Sequence, residues 1–417
     1  MTVASGSIPQ VTEPLSAVLV IALNYAPEPT GNAPYTTKLV EGLCNQGHDV
    51  RVLTGYPHYP WWKVQEGYTG LSRVEFVNDV PVRRVRHTVP AVPKTISRLL
   101  MEFTFGLHAV SVRWGEPDVV LVVSPALFSS GLAVLRARLQ GKRVAIWVQD
   151  LYSRGLEETA GRRSLMSRAM RKVESAILAA CGSVTVIHDR FKAYVVNELR
   201  VPETKVHVVR NWSHVRLPSK FDRARARRSL GWVDDEVIAL HAGNMGVKQG
   251  LENVVEAARL ASALGSQVKF VLLGDGNRRA ALEEAGAGIP NLTFLRPMDD
   301  AGYSAALRAA DVLLVNELAD VREMSVPSKL TSYFATGLPV VAATHEESAT
   351  SDEIRLSEGG VRVDPERPSV LLRAIETLGT DLERAAKLGA NGQSYASRML
   401  SAEAAITAHE RVLLSQA

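Results

Sequence analysis

Asp150, Lys248 and Lys329 stand in loops that follow short apolar runs, and the loops have compositions suited to an anion. Ala242-Gly-Asn-Met-Gly-Val-Lys-Gln-Gly250 places Gly243, Asn244 and two further glycines around Lys248. Glycine lets a ligand approach the backbone closely, and successive N–H groups beside an ammonium suit a diphosphate. The loop is not a P-loop, because Gly-Lys-Ser/Thr is missing. In Ser325-Val-Pro-Ser-Lys-Leu330, Ser328 is a favoured N-cap and Lys329 lies at the helix start, where N–H groups and the dipole favour an anion. Leu272-Leu-Gly-Asp-Gly-Asn277 and Thr30-Gly-Asn32 are further loops of this kind. Ordinary turn and capping chemistry would use the same residue types. Asp150 closes Trp147-Val-Gln-Asp150 at a strand end, the position of a base, a charge stabiliser or a plain structural carboxylate.

The elements that must hold these loops follow from apolar runs. Ala17–Leu23, His48–Thr54, Val80–Val85, Val119–Ser124, Arg143–Gln149, Val184–Ile187 and Val206–Val209 read as buried strands. Helical patterns separate them at Tyr35–Gln46, Ile96–Arg113, Leu127–Gln140 and Arg162–Ala180. A second series starts at Val237–Ala242. Strands at Val268–Leu273, Leu292–Leu295, Val312–Asn316 and Pro339–Ala343 alternate there with helices at Leu251–Leu264, Arg278–Ala285, Tyr303–Ala310 and Ser328–Ala335. Arg210–Asp235 is charged and reads as the connection. Gln393–Gln416 reads as one closing helix. The fold class is α/β, with two doubly wound halves whose ligand loops lie at the carboxyl ends of strands.

The 417 residues fit two domains, and 46% apolar with 22% charged residues excludes a disordered or fibrous chain. Cys44 and Cys181 cannot make a disulfide scaffold or a multi-cysteine zinc module. No 18-residue apolar run and no cationic leader occur, so a cytoplasmic location is expected. The formal charge of +4 hides a split. Residues 1–212 hold 25 Lys and Arg against 17 Asp and Glu, so this half is +8 and the remainder −4.

Several ordered segments carry a family likeness: Tyr25-Ala-Pro-Glu-Pro-Thr-Gly-Asn32, Gly47-His-Asp-Val50, Thr54-Gly-Tyr-Pro-His-Tyr-Pro60, Gln149-Asp-Leu-Tyr152 and Asn211-Trp212 in the first half. Gly243–Gly250, Leu273–Asn277, Val326-Pro-Ser-Lys329 and Gly337-Leu-Pro-Val-Val341 follow in the second. With these the chain resembles the family-4 retaining glycosyltransferases of the GT-B fold, and most of all the bacterial capsule, O-antigen and colanic-acid subgroup. The resemblance implies two Rossmann-like domains across a cleft: an acceptor domain at 1–212, rejoined by a helix at 396–417, and a nucleotide-sugar domain at 213–395. It places Gly31 and Asn32 against the donor phosphate and sugar. Asn244, Lys248, Pro327, Ser328 and Lys329 would hold the diphosphate. Gly243, Gly274, Asp275, Gly276 and Asn277 would line the donor pocket, with Arg296 to Met298 near the base. Asp150 stands where some members carry a catalytic-side histidine. Where many members have two glutamates eight positions apart, this chain has Met324 and Ser332, so the ribose contact is unassigned. His188 replaces a common serine.

The expected reaction is transfer from a UDP-linked sugar to a glycan or lipid-linked saccharide, with retention and without a metal or other cofactor. Lysines and oriented N–H groups would stabilise charge developing on the departing diphosphate. A non-hydrolysing UDP-sugar epimerase is the alternative on this fold. An NAD enzyme is disfavoured by the missing G-x-G-x-x-G. A nucleic-acid partner is disfavoured because basic residues are not interleaved with aromatics on one sheet. Arg162–Ala180, and Val89–Trp114 with Arg98, combine basic and apolar residues as peripheral contact with an anionic membrane would require.

Overall fold

The computed structural model describes residues 15–29, 31–92, 95–154, 165–213, 215, 217–218, 220–321 and 328–415. The chain divides into two units, Met1–Val209 with Ile406–Ala417, and Arg210–Ala405. The first boundary thus falls just before 212. The segment rejoining the first unit starts at Ile406, not at 396.

The first unit runs β1 (Ala17–Ala22), α1 (Ala33–Asn45), β2 (Asp49–Gly55), β3 (Ser72–Val77), β4 (Val80–Val85), α2 (Thr95–Ser111), β5 (Val119–Ser124) and α3 (Leu127–Leu139). It continues with β6 (Arg143–Val148), α4 (Leu165–Ala180), β7 (Ser183–Val186), α5 (Asp189–Asn197) and β8 (Val206–Val208). The sheet order is β3-β4-β2-β1-β5-β6-β7-β8, and every pair is parallel except β3 with β4. Parallel strands buried on both faces need unbroken apolar runs, and Val119–Val123 in β5 shows this. Strand β3 was not expected. It is an exposed edge strand whose apolar Val74 and Phe76 face outward instead of forming a buried run, joined to β4 by Asn78 and Asp79, both at positive φ. That pair is a favoured two-residue hairpin turn.

The second unit runs α6 (Arg223–Leu230), β9 (Val237–Ala242), α7 (Glu252–Leu264), β10 (Val268–Leu273), α8 (Arg279–Ala285), β11 (Leu292–Leu295), α9 (Asp300–Ala309) and β12 (Val312–Asn316). It continues with α10 (Ser328–Ala335), β13 (Val340–Ala343), α11 (Ala349–Ser357), β14 (Gly360–Val363), α12 (Pro368–Thr380) and α13 (Leu382–Met399). Its sheet, β11-β10-β9-β12-β13-β14, is wholly parallel. Alternate residues feed two cores: Ile238, Leu240 and Ala242 on one face, Ala239, Phe270 and Leu272 on the other.

Two sequence expectations are corrected here. The stretch 210–235 is not merely a connection, for it contains α6, which packs on α9. Buried Arg227 holds α6 by donating to Ala309 O, Val233 O, Glu236 O and Asp311. An arginine anchor leaves no apolar stripe to read. The closing segment is two helices, α13 and α14 (Ala402–Leu414), and the second starts where Ser401 Oγ accepts from Ala404 N. In the first unit α14 sets Ile406 against Gly42, His409 against Trp147 with ring centroids 4.5 Å apart, and Glu410 3.0 Å from His48 Nε2.

Candidate functional site

In the second unit, loops at the ends of β9 and β10 interlock. Gly243 N donates to Leu273 O, Met245 N to Asp275 O, and Arg278 N to Met245 O. Gly274 has φ +140°, and a Cβ there would lie 1.9 Å from Gly243 O, so no other residue fits. Buried Arg279 fixes the same turn through Gly274 O and Leu295 O.

Lys329 reaches this pair from the first turn of α10. A Cβ on Gly243 (φ +136°) would lie 2.8 Å from Lys329 Cε, so the lysine stem crosses the bare glycine. Tyr333, four residues on along the same helix face, accepts from Ala242 N at 2.8 Å and donates to Ala242 O at 3.2 Å. Tyr333 therefore pins α10 to the last residue of β9, and Lys329 is placed by it. Burial pushes the Lys329 ammonium down to about 8, against the opposing pull of Glu317. Glu317, itself raised by burial, accepts from Thr344 Oγ1 at 2.6 Å and Thr350 Oγ1 at 2.8 Å. His241 is buried, and its burial, helped by the Lys329 charge, holds it well below the usual histidine range.

Gly243, Asn244, Gly274, Asp275, Gly276 and Lys329 thus belong to one cradle. Asn244 is exposed, and its Nδ2 donates to Gln249 Oε1 at 3.4 Å. Asp275 Oδ1 accepts from Gly276 N at 2.8 Å, and Asn277 is exposed next to it. Lys248 is exposed on a short turn whose carbonyl accepts from Leu318 N at 3.0 Å. Arg296 is exposed past the end of β11. Pro327, the side chain of Ser328, and Met324 lie outside the described residues. Ser332 is buried, with its Oγ 3.1 Å from Ser213 Oγ. Tyr333, Glu317 and Arg279 were missed by the sequence reading. Glu317 did carry a signal, since it directly follows a strand.

In the first unit Gly31 is exposed with φ +69°, and Asn32 Nδ2 is 3.5 Å from Ser124 O at the end of β5. Asp150 is exposed past β6, and its Oδ1 accepts from Leu151 N at 2.8 Å. The segment after it is locked by buried Glu174 of α4, which accepts from Tyr152 N at 2.8 Å and Ser153 N at 3.1 Å. His188 caps α5, its Nδ1 accepting from Arg190 N. Buried Glu28 accepts from His58 N and Tyr59 N at 2.8 Å each, which fixes the loop bearing exposed Trp61. Glu102 of α2 is buried, and burial raises its carboxyl to about 7 against a backbone bond from Phe128. Among the described residues no three His, Cys, Asp or Glu side chains converge as a metal site would require.

The chain matches the model of the glycosyl transferase 4-like domain over residues 30–212 and that of the glycosyl transferases group 1 over residues 236–381. It is 31% identical over 375 residues to WcaI of Escherichia coli K12, whose name provisionally makes it a colanic acid biosynthesis glycosyl transferase. That match covers 86% of this chain and 91% of the relative. It is 24% identical to an uncharacterized glycosyltransferase of Methanocaldococcus jannaschii, covering 87% and 89%. Its fold is similar to that of HepE from Anabaena, solved with UDP (TM-score 0.69, 14% identity, 96% of this chain and 100% of that one). It is also similar to that of a sucrose-phosphate synthase from Thermosynechococcus elongatus (TM-score 0.70, 19% identity, 96% and 98%).

Proposed function

The chain belongs to the family-4 glycosyltransferases of the GT-B fold, and from this premise we propose that it moves a sugar from a UDP-linked donor onto a lipid-linked saccharide in surface polysaccharide synthesis. The observation that carries the donor assignment is the Lys329 stem lying across Gly243, where the Gly274 turn seals the loop behind it. An ammonium at a glycine-backed turn suits a diphosphate better than a neutral ligand. The relatives support the remainder, through the UDP held by HepE and the colanic acid role in the name of WcaI.

In this reading the bond from the anomeric carbon to the diphosphate breaks, and the electron pair leaves with the diphosphate. Lys329 offsets that charge, and the acceptor hydroxyl attacks the same face, giving retention. Lys248 and Asn244 border the phosphates, Gly274 to Asn277 line the pocket, and Arg296 lies toward the base. The departing phosphate takes the acceptor proton, and Asp150 contributes charge on the acceptor side. With lysine supplying the positive charge, no metal is required. Among the described residues no helix is long and apolar enough to cross a membrane, and the acceptor is met at the cytoplasmic membrane surface.

A thermal-shift panel of nucleotide sugars in EDTA tests this. Stabilisation by a UDP-sugar is the expected result. If no nucleotide sugar shifts the melting curve, the donor assignment fails.

A further inference from the structure

The two sheets end in four edge strands, β3 and β8 in the first unit, β11 and β14 in the second. An edge strand carries a row of unpaired N–H and C=O groups, and proteins blunt such edges with short strands, proline or charge. Strand β8 has three residues, and β11 and β14 have four each, with Arg362 inside β14. Strand β3 has six, Ser72-Arg-Val-Glu-Phe-Val77, with neither proline nor lysine. Its Val74 and Phe76 are 58% and 73% exposed. Among the described residues β3 is therefore the least protected edge.

The register with β4 shows which groups point outward. Arg86 N donates to Leu71 O at 2.9 Å, and the pairing runs on through Arg73 with Arg84 and Glu75 with Val82 to the two-residue turn. Hydrogen-bonded and non-hydrogen-bonded pairs alternate along an antiparallel ladder. The odd-numbered residues of β3 thus bond to β4, and the N–H and C=O groups of Ser72, Val74 and Phe76 point to the open edge. Side chains alternate too. Val74 and Phe76 share one sheet face, and Arg73 and Glu75 share the other, with Arg73 Nε 3.2 Å from Glu75 Oε2.

This pattern selects the occupant. A second β3, laid antiparallel about a two-fold axis at Val74, sets Val74 opposite Val74 as a hydrogen-bonded pair and Ser72 opposite Phe76. It also sets Arg73 opposite Glu75 on both sides of the axis. Opposite charges facing across strands are favourable, and like charges are not. Moving the axis by one residue sets Arg73 on Arg73 or Glu75 on Glu75. Moving it by two runs the ladder into the Asn78-Asp79 turn or into the loop before Leu71. The edge is therefore complementary to itself, as a two-fold interface requires.

We infer that β3 is the interface of a homodimer, in which two copies pair strand to strand and join their eight-stranded sheets into one. A ladder over residues 71–77 is small beside the about 1,200 Å² of a standard interface, so the dimer is reversible on dilution.

Sedimentation velocity of the full chain over a concentration series tests it, with oxidative cross-linking to fix the register. The wild type is expected to be dimeric at about 100 μM and monomeric after roughly hundredfold dilution. Val74→Pro removes an N–H that β4 does not use and is expected to weaken association about tenfold or more. Val74→Lys keeps that N–H but brings two ammonium groups together at the axis, and the same loss is expected. Both variants are expected to keep the wild-type melting curve and UDP titration. Val74→Cys is expected to give a disulfide-linked dimer on mild oxidation. Phe76→Cys, held about 14 Å from its copy in this register, is not, and neither is the wild type with Cys44 and Cys181. A monomer at every concentration overturns the inference, whatever else the strand binds, as does a dimer that both Val74 variants leave intact. Cross-linking by Phe76→Cys as readily as by Val74→Cys overturns the two-fold pairing.

Discussion

Lys329 is the residue on which the donor reading turns. Its ammonium, held down to about 8 by burial, loses its proton as pH rises through that value, so affinity for a diphosphate is expected to fall on the alkaline side. Lys329→Arg keeps its charge at higher pH and is expected to remove that alkaline limb, which a pH series of UDP binding would show. Lys329→Ala is expected to lower transfer by about a hundredfold or more without altering the far-UV spectrum. Near-normal turnover would contradict its phosphate role. Glu102 offers a second pH test. Its carboxyl is raised from 4.5 to about 7, so the folded state binds the proton more tightly than the unfolded chain. That contribution is present at low pH and is lost as pH rises through about 7. Glu102→Gln is therefore expected to stabilise the protein above neutrality, by on the order of 3 kcal/mol at most, and to be nearly neutral in mild acid. Melting curves at the two pH values check it. Lys329, Gly243 and Gly274 were legible in the sequence because glycine and lysine announce their chemistry by type. Tyr333 and Arg279 were not, since a tyrosine or arginine acquires its role only from a carbonyl brought near by the fold.

At the scale of elements, most parallel strands were legible because strands buried on both faces must be apolar throughout, whereas β14, parallel to β13 but short, only partly buried and interrupted by Arg362, was not. What escaped were elements held by other means. Helix α6 is anchored by buried Arg227, and β3 rests on ladder bonds and the Asn78-Asp79 turn. The break between α13 and α14 depends on the Ser401 cap, a residue type common in any loop. The interlocked 243–250 and 274–278 loops give a prediction at this scale. Gly274→Ala puts a methyl into Gly243 O at φ +140°, so a loss of about 3 kcal/mol or more is expected, together with loss of UDP binding. Retained stability on denaturant unfolding would show that the turn is looser than described.

For the molecule as a whole, the charge split and the late return of the chain to the first unit matter most. The final helix buries Ile406 against Gly42 and His409 against Trp147, and burial holds His409 neutral, down to about 3. Ile406→Ala is expected to cost the first unit about 2–4 kcal/mol and to leave UDP binding by the second unit in place; melting followed with and without UDP separates the two effects. The second half is net acidic, so its field as a whole opposes a diphosphate and binding must rest on local groups. The most direct test of the central claim is calorimetric titration of UDP into the full chain in EDTA near neutral pH, wild type against Lys329→Ala. One UDP per chain, bound about tenfold to a hundredfold more weakly by the variant, is the expected result. Equal affinity of the two proteins, or binding that vanishes when metal is chelated, would contradict it.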